Sequence, residues 1–180
     1  MKKVALILAD GFEEIEAIGT YAIVSRAGLQ VDLYALSCTD TTGRFGLTCT
    51  KLHPFSELNG TVYDALVLPG GPGYQALESN EKLQTLIKEF IDEGKVVAAI
   101  CASPTILGRQ GYLKGKNYTC FTAMNEDFGG HFTGAYATAD GNIITGQSAA
   151  ATIDFGFTIV EKLLGKEKAD QVKKSIYYKK

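Results

Sequence analysis

Apolar residues in this chain come in two patterns, short unbroken runs and longer stripes spaced three or four apart, and the two alternate. Residues 4–9 form an unbroken run of the length a strand buried on both faces requires. Residues 13–27 predict a helix, with Ile15, Ile18, Ala22 and Ile23 on one side and Gly28 as its stop. A second strand is expected at 31–36. The Thr-, Gly- and Ser-rich stretch 37–60 predicts short antiparallel strands with a turn around Gly43. Residues 65–68 are a third buried strand that stops at Pro69-Gly70-Gly71-Pro72-Gly73. The spacing of Leu83, Leu86, Ile87 and Phe90 predicts a helix over 81–93, followed by a strand at 96–100 and a helix at 104–110 with Pro104 in its first turn. Strands are expected at 118–121 and 143–145. A long helix over 151–164 should bury Ile153, Phe157, Val160 and Leu164, and a shorter one should run from 166 to about 176. The tail Tyr177-Tyr178-Lys179-Lys180 is expected to fray.

Strands alternating with helices predict a mostly parallel sheet with helices on both faces, and no linker or repeat divides the chain, so residues 1–180 are expected to be one domain. Such a sheet binds ligands at the carboxyl ends of its strands. Composition narrows the function classes. With 18 Lys and Arg against 20 Asp and Glu and a net charge of −2, there is no basic patch of the kind nucleic-acid binding needs. No apolar run approaches the ~20 residues of a membrane span. Four cysteines, Cys38, Cys49, Cys101 and Cys120, lie far apart, with only His53 and His131 beside them. That pattern predicts neither a metal site nor a disulfide framework, and points to the cytoplasm.

Three strand ends carry unusual chemistry. Val96–Ile100 runs straight into Cys101, with a helix opening at Pro104, which is the strand–turn–helix layout of a nucleophile elbow. A thiol at a helix N-terminus is expected to favour its thiolate. After the first strand come Glu13, Glu14 and Glu16. The first two suit the opening turn of a helix, whereas Glu16 lies close to the Ile15/Ile18 stripe, where a half-buried carboxyl would hold its proton and share it with a neighbouring thiolate. The glycine loop 70–73 lacks the order of a phosphate or dinucleotide loop, but lets backbone N–H groups approach an oxyanion.

Taken together, the segments Ala9-Asp10-Gly11-Phe12-Glu13-Glu14-Ile15-Glu16-Ala17, Arg26-Ala27-Gly28, Tyr63-Asp64-Ala65-Leu66-Val67-Leu68-Pro69-Gly70-Gly71, Ala98-Ala99-Ile100-Cys101-Ala102-Ser103-Pro104 and Ile153-Asp154-Phe155-Gly156 resemble the ThiJ/PfpI superfamily, in its parkinsonism-associated deglycase-like branch. The resemblance implies a flavodoxin-like three-layer α/β sandwich, a homodimer and an oxidisable elbow cysteine. It implies Cys101 as nucleophile, Glu16 as the acid hydrogen-bonded to it, the N–H groups of Gly71 and Ala102 as the oxyanion site, and Arg26 in a structural or interface role.

The departures redirect the function. Peptidase-like relatives place His directly after the nucleophile, where this chain has Ala102, so no adjacent Cys-His dyad exists. Many relatives of the branch have a His about twenty residues further on, where this chain has Cys120. Two residues are therefore auxiliary candidates: His131 as a base, and Cys120 as a resolving thiol for oxidised Cys101. The glycine-proline turn common before the last long helix is replaced by Gln147-Ser148-Ala149-Ala150-Ala151. Two functions are expected to compete. One is a cofactor-free, metal-free thiol enzyme converting 2-oxoaldehydes, or glycation adducts on thiols and amines, to 2-hydroxy acids. The other is a redox-responsive stress protein or chaperone whose Cys101 becomes sulfinate without turnover. Thiazole-phosphate biosynthesis, a label attached to the superfamily, has no phosphate loop to support it.

Overall fold

The computed structural model describes residues 1–179, and Lys180, the end of the expected fraying tail, lies outside them. Seven strands form one sheet in the order β10-β11-β7-β6-β1-β2-β5: β1 (Lys3–Leu8), β2 (Gln30–Ala35), β5 (His53–Pro54), β6 (Ala65–Leu68), β7 (Val96–Ile100), β10 (Ala137–Asp140) and β11 (Ile143–Gly146). Every pairing is parallel except that of β10 with β11. The 37–60 region holds the expected antiparallel pair, β3 (Thr41–Thr42) and β4 (Thr48–Cys49), with its turn starting at Gly43. A second small pair, β8 (Asn117–Tyr118) and β9 (His131–Phe132), runs parallel.

The period-2 geometry of a strand divides the core into two layers. On β1, Val4, Leu6 and Leu8 face the helices α1 (Thr20–Arg26), α5 (Thr152–Leu164) and α6 (Lys166–Ser175). Ala5, Ile7 and Ala9 face the opposite layer, with α2 (Tyr74–Ser79), α3 (Glu81–Asp92) and α4 (Pro104–Arg109). The result is the flavodoxin-like three-layer sandwich. Pro54, which has no N–H to donate, sits in the edge strand β5, where none is needed.

Several expectations are corrected. The helix after β1 opens with a π-turn over Ile15–Gly19 before α1, and its buried stripe is Glu16, Ala17, Thr20, Ile23, Val24 and Ala27. Ile15 is instead 59% exposed. On α5, Ile153 and Leu164 are turned outward, while Phe155, Phe157, Ile159, Val160 and Leu163 are buried. The strand expected at 118–121 ends at Tyr118, because Thr119 N–H is taken by the Thr145 hydroxyl and Phe121 N–H by the Cys101 carbonyl. The one-and-a-half-turn α2, with only Leu77 buried, leaves no periodic trace in the sequence. Tyr178 does not fray: its ring packs edge-on against Phe157, and its hydroxyl donates to Asp154 at 2.8 Å.

Gly156 lies where α5 crosses α1; a Cβ there would come within 2.8 Å of Ile23 Cγ2. Gly156→Ala is expected to lower stability by about 1–3 kcal/mol, through overpacking. Ile23→Ala in the same chain should recover part of that loss. Urea unfolding of the single and double variants measures it, and strictly additive costs would contradict the crossing geometry.

Candidate active site

Three loops meet above the carboxyl ends of β1, β6 and β7, and hydrogen bonds to their backbone carbonyls lock them together. Glu13 N–H donates to the Gly70 carbonyl at 3.0 Å, Gly73 N–H to the Gly11 carbonyl at 3.1 Å, and the Ser103 hydroxyl to the Pro69 carbonyl at 2.6 Å. The approach is so close that side chains are excluded. A Cβ on Gly71, whose φ is +82°, would stand 2.5 Å from the Gly11 carbonyl oxygen and 2.6 Å from Glu13 N. A Cβ on Gly70 would stand 2.7 Å from Glu16 Oε2 and 2.8 Å from Cys101 Cβ, so the bare backbone of Gly70 is what lets acid and thiol share one space.

Cys101 occupies the left-handed region at φ +64°, a conformation costing an L-residue about 1–2 kcal/mol. The surroundings hold it there. Its N–H continues the β7–β11 ladder onto the Gly146 carbonyl at 2.9 Å, and its carbonyl accepts Phe121 N–H at 2.8 Å. At this turn the N–H groups of Ala102 and Gly71 come near enough to the sulfur to lower its proton affinity. Cys101 is partly exposed.

Glu16 is completely buried. Its Oε2 accepts Gly70 N–H at 2.8 Å, its backbone N–H donates to Glu13 Oε2 at 2.9 Å, and Oε1 has no partner within ordinary hydrogen-bond geometry among the described residues. Burial pushes the Glu16 carboxyl up from 4.5 to about 7, opposed by its interactions with Cys101 and Gly70 N–H. Burial, then the Glu16 charge, push the Cys101 thiol well above its ordinary range, opposed by the Ala102 and Gly71 N–H groups. This corrects the expectation that a helix N-terminus alone would favour the thiolate. Two adjacent negative charges cannot both be buried here, so acid and thiol titrate as one unit and lose their first proton near pH 7. The remaining proton has two homes, on carboxyl or on sulfur. Burial and the Glu16 charge hold it on the sulfur, and passing it to Glu16 gives acid with thiolate, a form that the Ala102 and Gly71 N–H groups assist.

The other candidates are placed as follows. The N–H groups of Gly71 and Ala102 act on the sulfur and draw its proton affinity down. Cys120 is fully buried in the α3/α4 core layer, with Sγ 3.9 Å from Asn125 Oδ1, and burial raises its thiol to about 11. His131 is exposed on β9, where its backbone N–H donates to the Lys116 carbonyl. Arg26 is exposed at the carbonyl end of α1, where a cation suits the helix dipole. No cluster of His, Cys, Asp or Glu among the described residues could hold a metal ion. Nor is any described helix long and apolar enough to cross a membrane. Sequence reading passed over Arg44 on the β3–β4 turn, whose charge reaches Glu16 and draws its proton affinity down. The signal was a single cation in an otherwise uncharged hairpin.

A family model described as DJ-1/PfpI family matches residues 2–162. The deglycase of Thermococcus kodakarensis is 33% identical over 148 residues, 81% of this chain and 89% of that protein. Protein DJ-1 homolog A of Arabidopsis thaliana is 32% identical over 177 residues, 95% of this chain and 45% of the relative. The chain thus spans less than half of that relative, and 39% of homolog B. A DJ-1 superfamily protein of Salmonella typhimurium has the same fold, with a TM-score of 0.91 and 32% identity over 100% of both chains.

A group whose folded pKa is raised contributes most at low pH and loses that contribution as pH climbs through the folded value. For Glu16 the loss runs from pH 4.5 to about 7 and amounts to on the order of 3 kcal/mol. Glu16→Gln, which keeps an acceptor for Gly70 N–H, should abolish this slope and exceed wild type in stability at pH 8. Denaturant titrations at pH 4.5, 6 and 8 test it, and parallel curves for the two proteins would contradict the buried carboxyl.

Proposed function

Because the chain belongs to the DJ-1/PfpI family, we propose that it is a cysteine-dependent enzyme acting on reactive carbonyls, turning 2-oxoaldehydes, or early glycation adducts of thiols and amines, into 2-hydroxy acids. The observation that carries this reading is the fully buried Glu16 carboxyl beside a thiol that faces two N–H donors. The deglycase names of archaeal relatives point the same way.

The chemistry needs one sulfur and one mobile proton. The Cys101 thiolate attacks the aldehyde carbon, the C=O π pair moves to oxygen, and the Glu16 acid supplies its proton, giving a hemithioacetal. The Glu16 carboxylate then removes the hydrogen on that carbon. The resulting enediolate oxygen takes the Gly71 and Ala102 N–H groups as donors. Return of the proton to the adjacent carbon leaves a thioester on Cys101, and water hydrolyses it to the 2-hydroxy acid and free thiol. Overall, one water is added, and oxidation at one carbon balances reduction at its neighbour. A homodimer in the cytoplasm belongs to the same reading.

Turnover of methylglyoxal should be lost, by at least about a hundredfold, in Cys101→Ser. In wild type, kcat/KM should rise with pH through about 7 as the pair loses its first proton. Equal rates for wild type and Cys101→Ser would end the enzyme reading.

A redox role has its own support: the two N–H groups at the sulfur are equally suited to sulfinate oxygens. Limiting peroxide should then modify Cys101 before Cys38, Cys49 or Cys120. Peptide mass mapping with another cysteine oxidised first would remove this alternative.

A further inference from the structure

The β3–β4 hairpin is not an independent surface loop. Gly11 N–H donates to the Thr42 carbonyl at 2.8 Å, Thr42 N–H to Asp10 Oδ1 at 2.9 Å, and Phe45 N–H to Glu14 Oε1 at 2.7 Å. Between these clamps, Arg44 N–H donates to the Phe12 carbonyl at 2.9 Å. Phe12 and Glu13 form the very peptide against which Gly71 is pressed: a Cβ on Gly71 would lie 2.9 Å from the Phe12 carbonyl carbon. The Arg44 backbone is thus one peptide layer away from the residue whose N–H faces the Cys101 sulfur.

The charges around this point are unequally committed. Glu13 directs Oε2 onto Glu16 N–H, and Glu14 directs Oε1 onto Phe45 N–H, so both carboxylates are turned inward onto backbone donors. Arg44 is exposed, its guanidinium lies 4.8 Å from the Phe45 ring centroid, and it enters no ion pair among the described residues. A planar guanidinium with unoccupied N–H groups matches a carboxylate or phosphate in both charge and shape.

We propose that Arg44 is a specificity-determining residue that holds the anionic end, carboxylate or phosphate, of an electrophile while its carbonyl or other reactive carbon meets Cys101. The clamped backbone fixes where the side chain starts, and the aromatic face of Phe45 backs its guanidinium. Within the proposed reaction, which this inference refines, the favoured substrates are 2-oxoaldehydes with an anionic terminus, over neutral ones such as methylglyoxal.

A turnover-independent test uses two alkylating agents of similar size, anionic iodoacetate and neutral iodoacetamide. The ratio of their rates at Cys101 should fall roughly three- to tenfold in Arg44→Gln and recover in part in Arg44→Lys. The main-chain clamp survives both substitutions, and near-ultraviolet circular dichroism confirms that the fold is kept. In the second arm, kcat/KM for 2-oxo-3-phosphooxypropanal relative to methylglyoxal should fall by a similar factor in Arg44→Gln, with the loss expressed mainly in KM. An alkylation ratio equal in wild type and Arg44→Gln overturns the proposal. If that ratio falls while wild type turns over neither aldehyde, Arg44 keeps its anion-holding role and only the proposed reaction is lost.

Discussion

Everything at this site depends on a volume from which side chains are excluded. Three strands deliver their loops to the same few ångströms, and the middle loop, after β6, fits between the other two only as bare backbone. Gly70 lets Glu16 and Cys101 approach each other, and Gly71 lets a main-chain N–H reach the sulfur while its own back lies against Phe12 and Glu13. Gly11 and Gly73 close the junction from below. The rest of the sandwich holds these three strand ends in register.

Within that volume the protein keeps two groups that packing alone would reject. A carboxyl sits in a helix stripe that otherwise holds Ala17, Ile23, Val24 and Ala27, and a cysteine sits in a left-handed conformation. Both are costly, and both are held by neighbours that are rigid for other reasons: β7 and β11 on one side of Cys101, and the Gly70 loop beside Glu16. Departures from local rules of this kind concentrate where chemistry is done. The acid and the thiol also limit each other, because neither can ionise without raising the cost for its partner. The unit therefore retains one proton over a broad range of pH.

Much of this was legible in the sequence because runs and stripes report burial directly. The strands β1, β6 and β7, the helix α3 and the elbow at Cys101 need no tertiary information. The misreadings share one cause. A periodic reading assigns Ile15 to the core, and after β1 the chain exposes it, while Glu16, expected half-buried beside that stripe, is buried completely. Periodicity cannot reveal the π-turn that shifts the stripe by this amount. Nor can it reveal contacts made by main chain: the 118–121 segment looks like a strand but gives its N–H groups to Thr145 and Cys101. Arg44 escaped because its importance lies in the clamp beneath it, which is invisible until the loops are brought together.

The π-turn at Ile15–Gly19 gives the site an unusual sensitivity to chain length. Each helical residue turns the axis by about 100°, so removing a single residue from this turn would rotate everything before it against everything after it. The stripe from Thr20 to Ala27 is pinned by α5 and the sheet, and Glu13 is pinned by the Gly70 carbonyl. Glu16 lies between these anchors and would take up the difference. A substitution here is a local matter of one side chain, whereas a one-residue deletion would rewind the acid away from the sulfur and leave the sandwich standing around an idle thiol.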